Sequence, residues 1–389
     1  YLRRSEISVE LHSLSRVPSS LLYSCSVTMV FSLAISFIAL ATLAGAARVK
    51  RVACADGSYA SNEVCCPFNA LRDDLQKNIF FNSCADVAQD ALRLSFHDAI
   101  GFSRSGKLQG GGADGSIIIF REIELQSAAN AGIDDAIDEL MPAFQRHNVT
   151  AGDFIQFANA VGLTNCPGAP RLDFLAGRPN ATIPAQDGTV PRPEQDIDAL
   201  LERMEDGGFS PAETVHLLAS HTMAGSDTII PDHEDVPFDT TPSTFDTQFY
   251  LEVLLKGVGF PFDRTNASNK EVLSPLPESG EMRLQSDFVI SRDYRTACEW
   301  QSMVDNQELM MKNFKTAMQK LAVVGHDPKS LVDCSDVIPR ATPLQKKYAT
   351  FPAGTNSSDV QTTCPEPFPV IAADGKNDDC SPQFYTDTL

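Results

Sequence analysis

The stretch Arg93-Leu-Ser-Phe-His97-Asp98 lies in a segment with helical apolar spacing, so Arg93 and His97, four residues apart, share one helix face. A fixed cation and an imidazole then address one spot. Heterolysis of a peroxide O–O bond needs a base that moves a proton from one oxygen to the other, and a fixed positive charge for the departing oxygen. Taken alone, the pair also reads as an ordinary polar helix face. Further along, Ser210-Pro211-Ala212-Glu213 has the form of a capping box with proline at the first helical position. It opens a helix expected over 210–224 that carries His221. A neutral imidazole on a rigid helix is a usual ligand of haem iron, whereas a lone His221 would read as a core histidine bonded to backbone. Two histidine-bearing helices, one with an arginine on the same face, favour the redox reading.

Met29 opens a run, Val30 to Ala46, that is apolar apart from Ser32, Ser36, Thr42 and Gly45. It ends in Ala44-Gly45-Ala46, a small-residue cleavage form, and Lys50-Arg51 follows as a dibasic processing signal. Residues 29–51 therefore read as signal and propeptide; the run is at the short limit for a membrane span. Residues 1–28, Cys25 included, read as translated upstream sequence. Six basic and two acidic residues precede Val52, which leaves 25 Lys and Arg against 49 Asp and Glu, a net charge of −24. Such a surface repels nucleic acid and, after processing, anionic membrane, and it suits metal cations.

The chain has 389 residues, 43% of them hydrophobic, enough for a large buried core. Helical spacing recurs at 67–80, 84–98, 133–147, 151–162, 194–206, 210–224, 245–256, 287–292, 295–303 and 306–324, and strand signals are few. The expected fold is all-α. From about 341 to 389 the chain turns rich in Pro, Thr and Gly without periodicity and reads as an extended tail. From Val52 onward there are nine cysteines, Cys54, Cys65, Cys66, Cys84, Cys166, Cys298, Cys334, Cys364 and Cys380. They lack the Cys-x-x-Cys spacing of zinc sites and read as a disulfide framework whose pairing the sequence leaves open. Sequons at Asn148, Asn180, Asn266 and Asn356 agree with a secreted, extracellular chain.

Gly110-x-Gly112-x-x-Gly115 matches a dinucleotide fingerprint in form, but no strand precedes it and Asp114 would repel a pyrophosphate. Oxygen donors from Asp98, Gly112, Asp114 and Ser116 suit a hard cation of calcium type instead.

An ordered set of motifs adds a resemblance to these readings. Arg-x-x-Phe-His-Asp at 93–98, Gly-Gly-Gly-Ala-Asp-Gly-Ser at 110–116, Asn-Cys-Pro-Gly-Ala-Pro at 165–170, Ser-His-Thr at 220–222, Pro-Phe-Asp-Thr-Thr-Pro-Ser-Thr-Phe-Asp at 237–246 and Glu-Met-Arg-Leu-Gln-Ser-Asp at 281–287 resemble the secreted fungal class II haem peroxidases, manganese peroxidases above all, from about Val52 to about Phe368. The resemblance implies a haem peroxidase domain over 52–340, with haem b between a distal lobe ending near 190 and a proximal lobe from about 191. It implies that His97 is the acid–base residue, Arg93 the charge stabiliser and Asn130 the group that orients His97. His221 would hold the iron and Asp287 would accept its other ring N–H, making the imidazole more electron-donating. Phe96 and Phe238 would line the haem on its two sides. Two calcium ions are implied, one at Asp98, Gly112, Asp114 and Ser116, the other at Thr222, Asp239, Thr241, Thr244 and Asp246. The implied disulfides are Cys54 with Cys66, Cys65 with Cys334, Cys84 with Cys166, and Cys298 with Cys364, leaving Cys380 over.

Positions 86, 90, 93 and 97 follow one helix face, and Asp90 lies about 10 Å along the axis from His97 by helix rise. The resemblance places a manganese site at Asp86, Asp90 and Asp227, with two departures: both helix residues are Asp where Glu is typical, and Gly225 replaces a bracing Arg. His216 stands where relatives that oxidise bulky aromatics carry a surface Trp, and it reads as a solvent-facing histidine; the lone Trp300 reads as core. The function expected is hydrogen peroxide dependent oxidation of Mn2+ to Mn3+, which with organic acid chelators attacks phenolic aromatics of lignin, by a monomeric secreted enzyme. The alternative is a generic peroxidase that oxidises phenols or dyes directly at the haem edge.

Overall fold

The computed structural model describes residues 51–345 and 348–373. The expectations placed on residues 1–28, on 29–50 of the signal and propeptide, and on Cys380 lie outside these residues. The principal helices are α1 (Cys66–Asp74), α2 (Asp86–Ala99), α3 (Ile133–Arg146), α4 (Ala151–Leu163), α5 (Ile197–Asp206), α6 (Pro211–Leu217), α7 (Gln248–Glu252), α8 (Gln285–Ile290), α9 (Ala297–Met303) and α10 (Gln307–Leu321). Among the described residues, strands are only two residues long, paired in twos. The fold is all-α. None of the described helices is long and apolar enough to cross a membrane.

The sequence of α4, Ala-Gly-Asp-Phe-Ile-Gln-Phe-Ala-Asn-Ala-Val-Gly-Leu, is apolar on every side, and all thirteen residues are buried. A helix with no polar face belongs inside a core. Its one charge, Asp153, is matched rather than left bare: the carboxylate accepts from Arg178 Nη1 at 2.8 Å and from the Gly177 and Arg178 backbone N–H groups at 2.7 and 3.1 Å. α2 packs against α4 and α3. Gly162 permits the close approach, since a Cβ there would lie 3.1 Å from the Phe80 ring and 3.5 Å from the Ala88 Cα. The buried side of α2 is thus fixed on α4, and the face carrying Arg93 and His97 points into the interior cavity.

The capping box is present: Ser210 Oγ accepts from Glu213 N at 3.2 Å, and Glu213 Oε2 accepts from Ser210 N at 2.9 Å. One expectation needs correction. The α-helix stops at Leu217, and His221 rides a 3₁₀ turn over Leu218–Met223 rather than an α-helix reaching 224. The buried Thr222 hydroxyl donates to Asp239 Oδ2 at 2.8 Å, and the tighter winding accommodates that tie.

Four disulfides join Cys54 to Cys66, Cys65 to Cys334, Cys84 to Cys166 and Cys298 to Cys364, the pairs that the resemblance implies. Beyond residue 348 the described helix is limited to a 3₁₀ turn at Ser357–Asp359. Cys364 and a hydrogen bond from Gln301 Nε2 to Glu366 O (2.9 Å) fasten this segment to α9. The Cys65–Cys334 bridge spans 269 residues, so it removes much unfolded-chain entropy. Replacing both cysteines by serine is expected to lower unfolding stability by about 2–5 kcal/mol. Thermal and denaturant unfolding of the holoenzyme measures this, and an unchanged midpoint would contradict it.

Candidate active site

A cavity of about 330 Å³ lies between α2 and the α6 turn. Arg93, Phe96 and His97 form part of its lining, and His221, Phe238 and Leu284 form another part. Most of the remaining wall is apolar, with Leu92, Leu217, Leu218, Ile290 and Met318 among its side chains. A flat apolar macrocycle with an iron needing one imidazole fits such a space.

His97 Nδ1 meets Asn130 Oδ1 at 2.8 Å, while Asn130 Nδ2 donates to the Glu124 carbonyl at 2.9 Å. The second bond fixes the amide orientation, so Asn130 presents an acceptor and His97 carries its proton on Nδ1. Nε2 is left unprotonated and able to accept a proton. Burial, reinforced by the Arg93 charge, holds the His97 imidazole down at about 3, partly opposed by the Asn130 bond. Arg93 donates to Ala131 O at 2.6 Å, which fixes one arm of its guanidinium. Arg93 and His97 are therefore tied to consecutive residues, Arg93 to the Ala131 backbone and His97 to the Asn130 side chain.

His221 Nδ1 meets Asp287 Oδ2 at 2.9 Å, and Asp287 is 1% exposed. Ser286 Oγ donates to the other carboxylate oxygen at 3.3 Å. The Phe238 ring stands 5.2 Å from the His221 ring, with Phe249 at 5.7 Å behind it. The imidazole is thus clamped by a carboxylate and two rings.

Asp98 follows His97 and is fully buried; its Oδ2 accepts from Gly115 N at 3.0 Å. Burial and the neighbouring Asp114 push its carboxyl well above the usual range. Ser116 Oγ is also buried, beside the Asp114 and Glu124 carboxyls. Gly112 and Gly115 take positive φ, and a Cβ at Gly112 would lie 2.4 Å from Val324 O, so only glycine fits that loop. On the other side, Asp239 accepts from Thr222 Oγ1 (2.8 Å) and Thr241 N (2.7 Å), and Thr241 Oγ1 donates to Asp246 Oδ1 at 3.1 Å. Thr222 Oγ1 also lies 3.4 Å from Thr244 O. Burial, with Glu252 and Asp246 nearby, raises the Asp239 carboxyl well above its usual range. Both clusters are oxygen-rich and short of positive charge, a donor set suited to calcium.

Asp86 and Asp90 come together with Glu139 of α3, their ligand atoms all within 4.8 Å of one another. Asp227 lines the cavity and raises both Asp carboxyls through its charge, but its Oδ1 accepts from Asp235 N at 2.8 Å. Burial is the first cause lifting Asp86 and Asp90 to about 7 each; Asp235 follows for Asp86, and Asp86 itself for Asp90. The sequence reading missed Glu139 and Asp235. In sequence Glu139 belongs to an acidic helix that reads as a solvated face. His216 is a further correction: its side chain is 15% exposed, and Nε2 meets Glu299 Oε1 at 2.7 Å. A carboxylate on α9 claims it. Trp300 is core, its Nε1 donating to Tyr250 O at 3.0 Å.

Comparison with known proteins agrees with this geometry. Residues 71–306 match the peroxidase family, and residues 309–380 match the fungal peroxidase extension region. The chain is 50% identical to manganese peroxidase H4 of Phanerodontia chrysosporium over 89% of its own length and 93% of that protein's. It is 50% identical to versatile peroxidase VPS1 of Pleurotus eryngii (84% and 89% covered) and 46% identical to ligninase H2 of Phanerodontia chrysosporium (83% and 88%). The chain belongs to the peroxidase family and is a haem enzyme.

Because the lowered His97 value lies below the unfolded 6.5, acidification between about 6.5 and about 3 protonates the unfolded chain first and costs stability, while the folded base stays neutral. The rate of reaction with peroxide is therefore expected to hold down to pH values near 3, measured by stopped-flow absorbance. Arg93→Ala removes one of the two causes and should move the acid inflection upward. An inflection unmoved by Arg93→Ala would remove Arg93 as a cause.

Proposed function

We propose that this peroxidase oxidises manganese(II) to manganese(III) with hydrogen peroxide, one electron per ion, and that chelated manganese(III) then oxidises phenolic lignin units. The observation that carries this reading is the pair Asp86 and Asp90 on the helix of Arg93 and His97, with Asp227 lining the same cavity. Carboxylate oxygens are the hard donors manganese(II) takes. The net change consumes one peroxide, two manganese(II) ions and two protons, and yields two waters and two manganese(III) ions.

Haem held through the second ring nitrogen of His221 would supply an iron able to take oxidising equivalents from peroxide and pass them on singly. His97 Nε2 accepts the proton from one peroxide oxygen and returns it to the other, while Arg93 stabilises the negative charge developing on the leaving oxygen. Asn130 keeps the His97 tautomer that leaves Nε2 free. Asp287 draws on the His221 N–H and makes that ring a stronger donor. Phe96 and Phe238 exclude water from the two sides.

Haem would sit between a distal lobe over about 52–190 and a proximal lobe over about 191–340. One calcium ion takes Asp98, Gly112, Asp114 and Ser116, and a second takes Thr222, Asp239, Thr241, Thr244 and Asp246; the buried Asp98 carboxylate next to Asp114 supports the first. The enzyme acts outside the cell as a monomer. Its four disulfides and the exposure of Asn148, Asn180, Asn266 and Asn356 support secretion and glycosylation.

The double variant Asp86→Ala with Asp90→Ala is expected to lose more than about tenfold in kcat/KM for manganese(II) while keeping turnover of small phenols. Equal loss with both substrates, or with neither, would favour direct phenol oxidation at the haem edge. Because protons compete for carboxylates that take them up at about 7, manganese affinity should fall as pH drops below about 7 and level off above it. Titration calorimetry at several pH values reads this slope. Chelation of calcium should abolish activity and change the haem absorption spectrum; both unchanged after verified loss of two ions would overturn the calcium assignments.

A further inference from the structure

We propose that Glu139 is a direct ligand of the oxidisable divalent cation, reaching from α3 to complete the site that α2 begins with Asp86 and Asp90. The inference rests on the manganese reading above, and it adds a carboxylate that the peroxidase motifs do not contain.

The first observation is distance. Donor atoms of Asp86, Asp90 and Glu139 all lie within 4.8 Å of one another. A six-coordinate ion with metal–oxygen bonds of about 2.0–2.5 Å separates neighbouring donors by about 3–3.5 Å and opposite donors by about 4–5 Å. The three carboxylates stand within the span that such an ion bridges.

The second observation concerns Asp90. It is 8% exposed, and no hydrogen bond to its carboxylate is found among the described residues. Buried carboxylates are normally held by donors, and this one faces two more carboxylates instead. Arg93 is the one cation acting on it at close range, and Arg93 has its own bond to Ala131 O. A divalent cation would supply the missing partner.

The third observation is the state of the other candidate. Asp227 has one oxygen engaged by the Asp235 backbone N–H at 2.8 Å, and the tight group of three does not include it. Aspartate side chains at 86 and 90 are one methylene shorter than glutamate, so the helix backbone would have to sit nearer the ion. Glu139 spans that gap from the neighbouring helix. Ile133, Ala136, Ile137, Leu140 and Ala143 are the buried stripe of α3, and Glu139 sits beside that stripe at an exposed position, where replacement leaves the core intact.

The test uses the haem-loaded enzyme and manganese(II) alone as probe. Free manganese(II) is followed by electron paramagnetic resonance during titration of the resting enzyme, and steady-state kinetics are run with manganese(II) and with a small phenol. Glu139→Gln is expected to weaken binding and raise KM for manganese(II) by about tenfold or more, with kcat/KM for the phenol unchanged. Glu139→Asp should fall between the two. If Glu139→Gln binds and turns over manganese(II) as the parent does while Asp86→Ala with Asp90→Ala does not, Glu139 is no ligand and the manganese reading stands. If neither variant differs from the parent, both fail together.

Discussion

Two carboxylates taken wholly out of water govern the geometry of this enzyme. Asp98 follows His97, and Asp239 holds Thr222, the residue after His221. Each lies near another acid, Asp114 in one case and Glu252 with Asp246 in the other, and among the described residues neither has a side-chain cation bonded to it. A buried charge of this kind must be neutralised by a proton or by a cation. Whichever compensates it determines how firmly the two histidines are held, because each is covalently next to a member of its cluster. Charge compensation at a distance of one residue is therefore coupled to the position of the reacting groups.

The same desolvation has opposite effects on neighbouring side chains, and the site uses both. Burial raises Asp98 and lowers His97, so one helix turn carries a carboxylate that needs a compensating proton or cation and an imidazole inclined to shed a proton. Arg93 strengthens the second effect and partly offsets the burial of Asp90 one turn earlier. A single guanidinium thus couples the His97 imidazole to the acidic group at the start of α2. Asn130 completes the arrangement through geometry: its amide is pinned by the Glu124 carbonyl, so it can only accept from His97.

Much of this was legible in the sequence, and the reasons are local. The stripe 86, 90, 93, 97 follows from helix periodicity, the Ser210 capping box from two short-range bonds, and the burial of α4 from apolar residues on every side. What was not legible depends on packing between elements. The 3₁₀ turn at His221 reflects the Thr222 to Asp239 bond, which joins residues seventeen apart in sequence. His216 is claimed by Glu299 across 83 residues, so no local pattern marks it as partly buried. Glu139 stands among Asp134, Asp135 and Asp138 on α3, and only the packing of α3 against α2 sets its position beside Asp86 and Asp90 apart from theirs.

Gly225 illustrates how one departure from the family pattern brings about another. A Cβ at this position would lie 2.9 Å from the Asp235 carbonyl carbon and 3.1 Å from its Cα, closer than a side chain tolerates. The bracing arginine expected by resemblance is therefore excluded by the backbone of the returning strand, where Gly225 pairs with Pro237 and Ser226 with Val236. Asp235 itself takes φ of +53°, a left-handed conformation that aspartate tolerates better than most residues. In that conformation its N–H reaches Asp227 at 2.8 Å, and its carboxylate adds negative charge beside Asp86. The site has thus exchanged a cationic brace for backbone support of Asp227 and a further acid. An acidic group built this way has less internal compensation than an arginine-braced one, and correspondingly more to gain from a bound divalent cation.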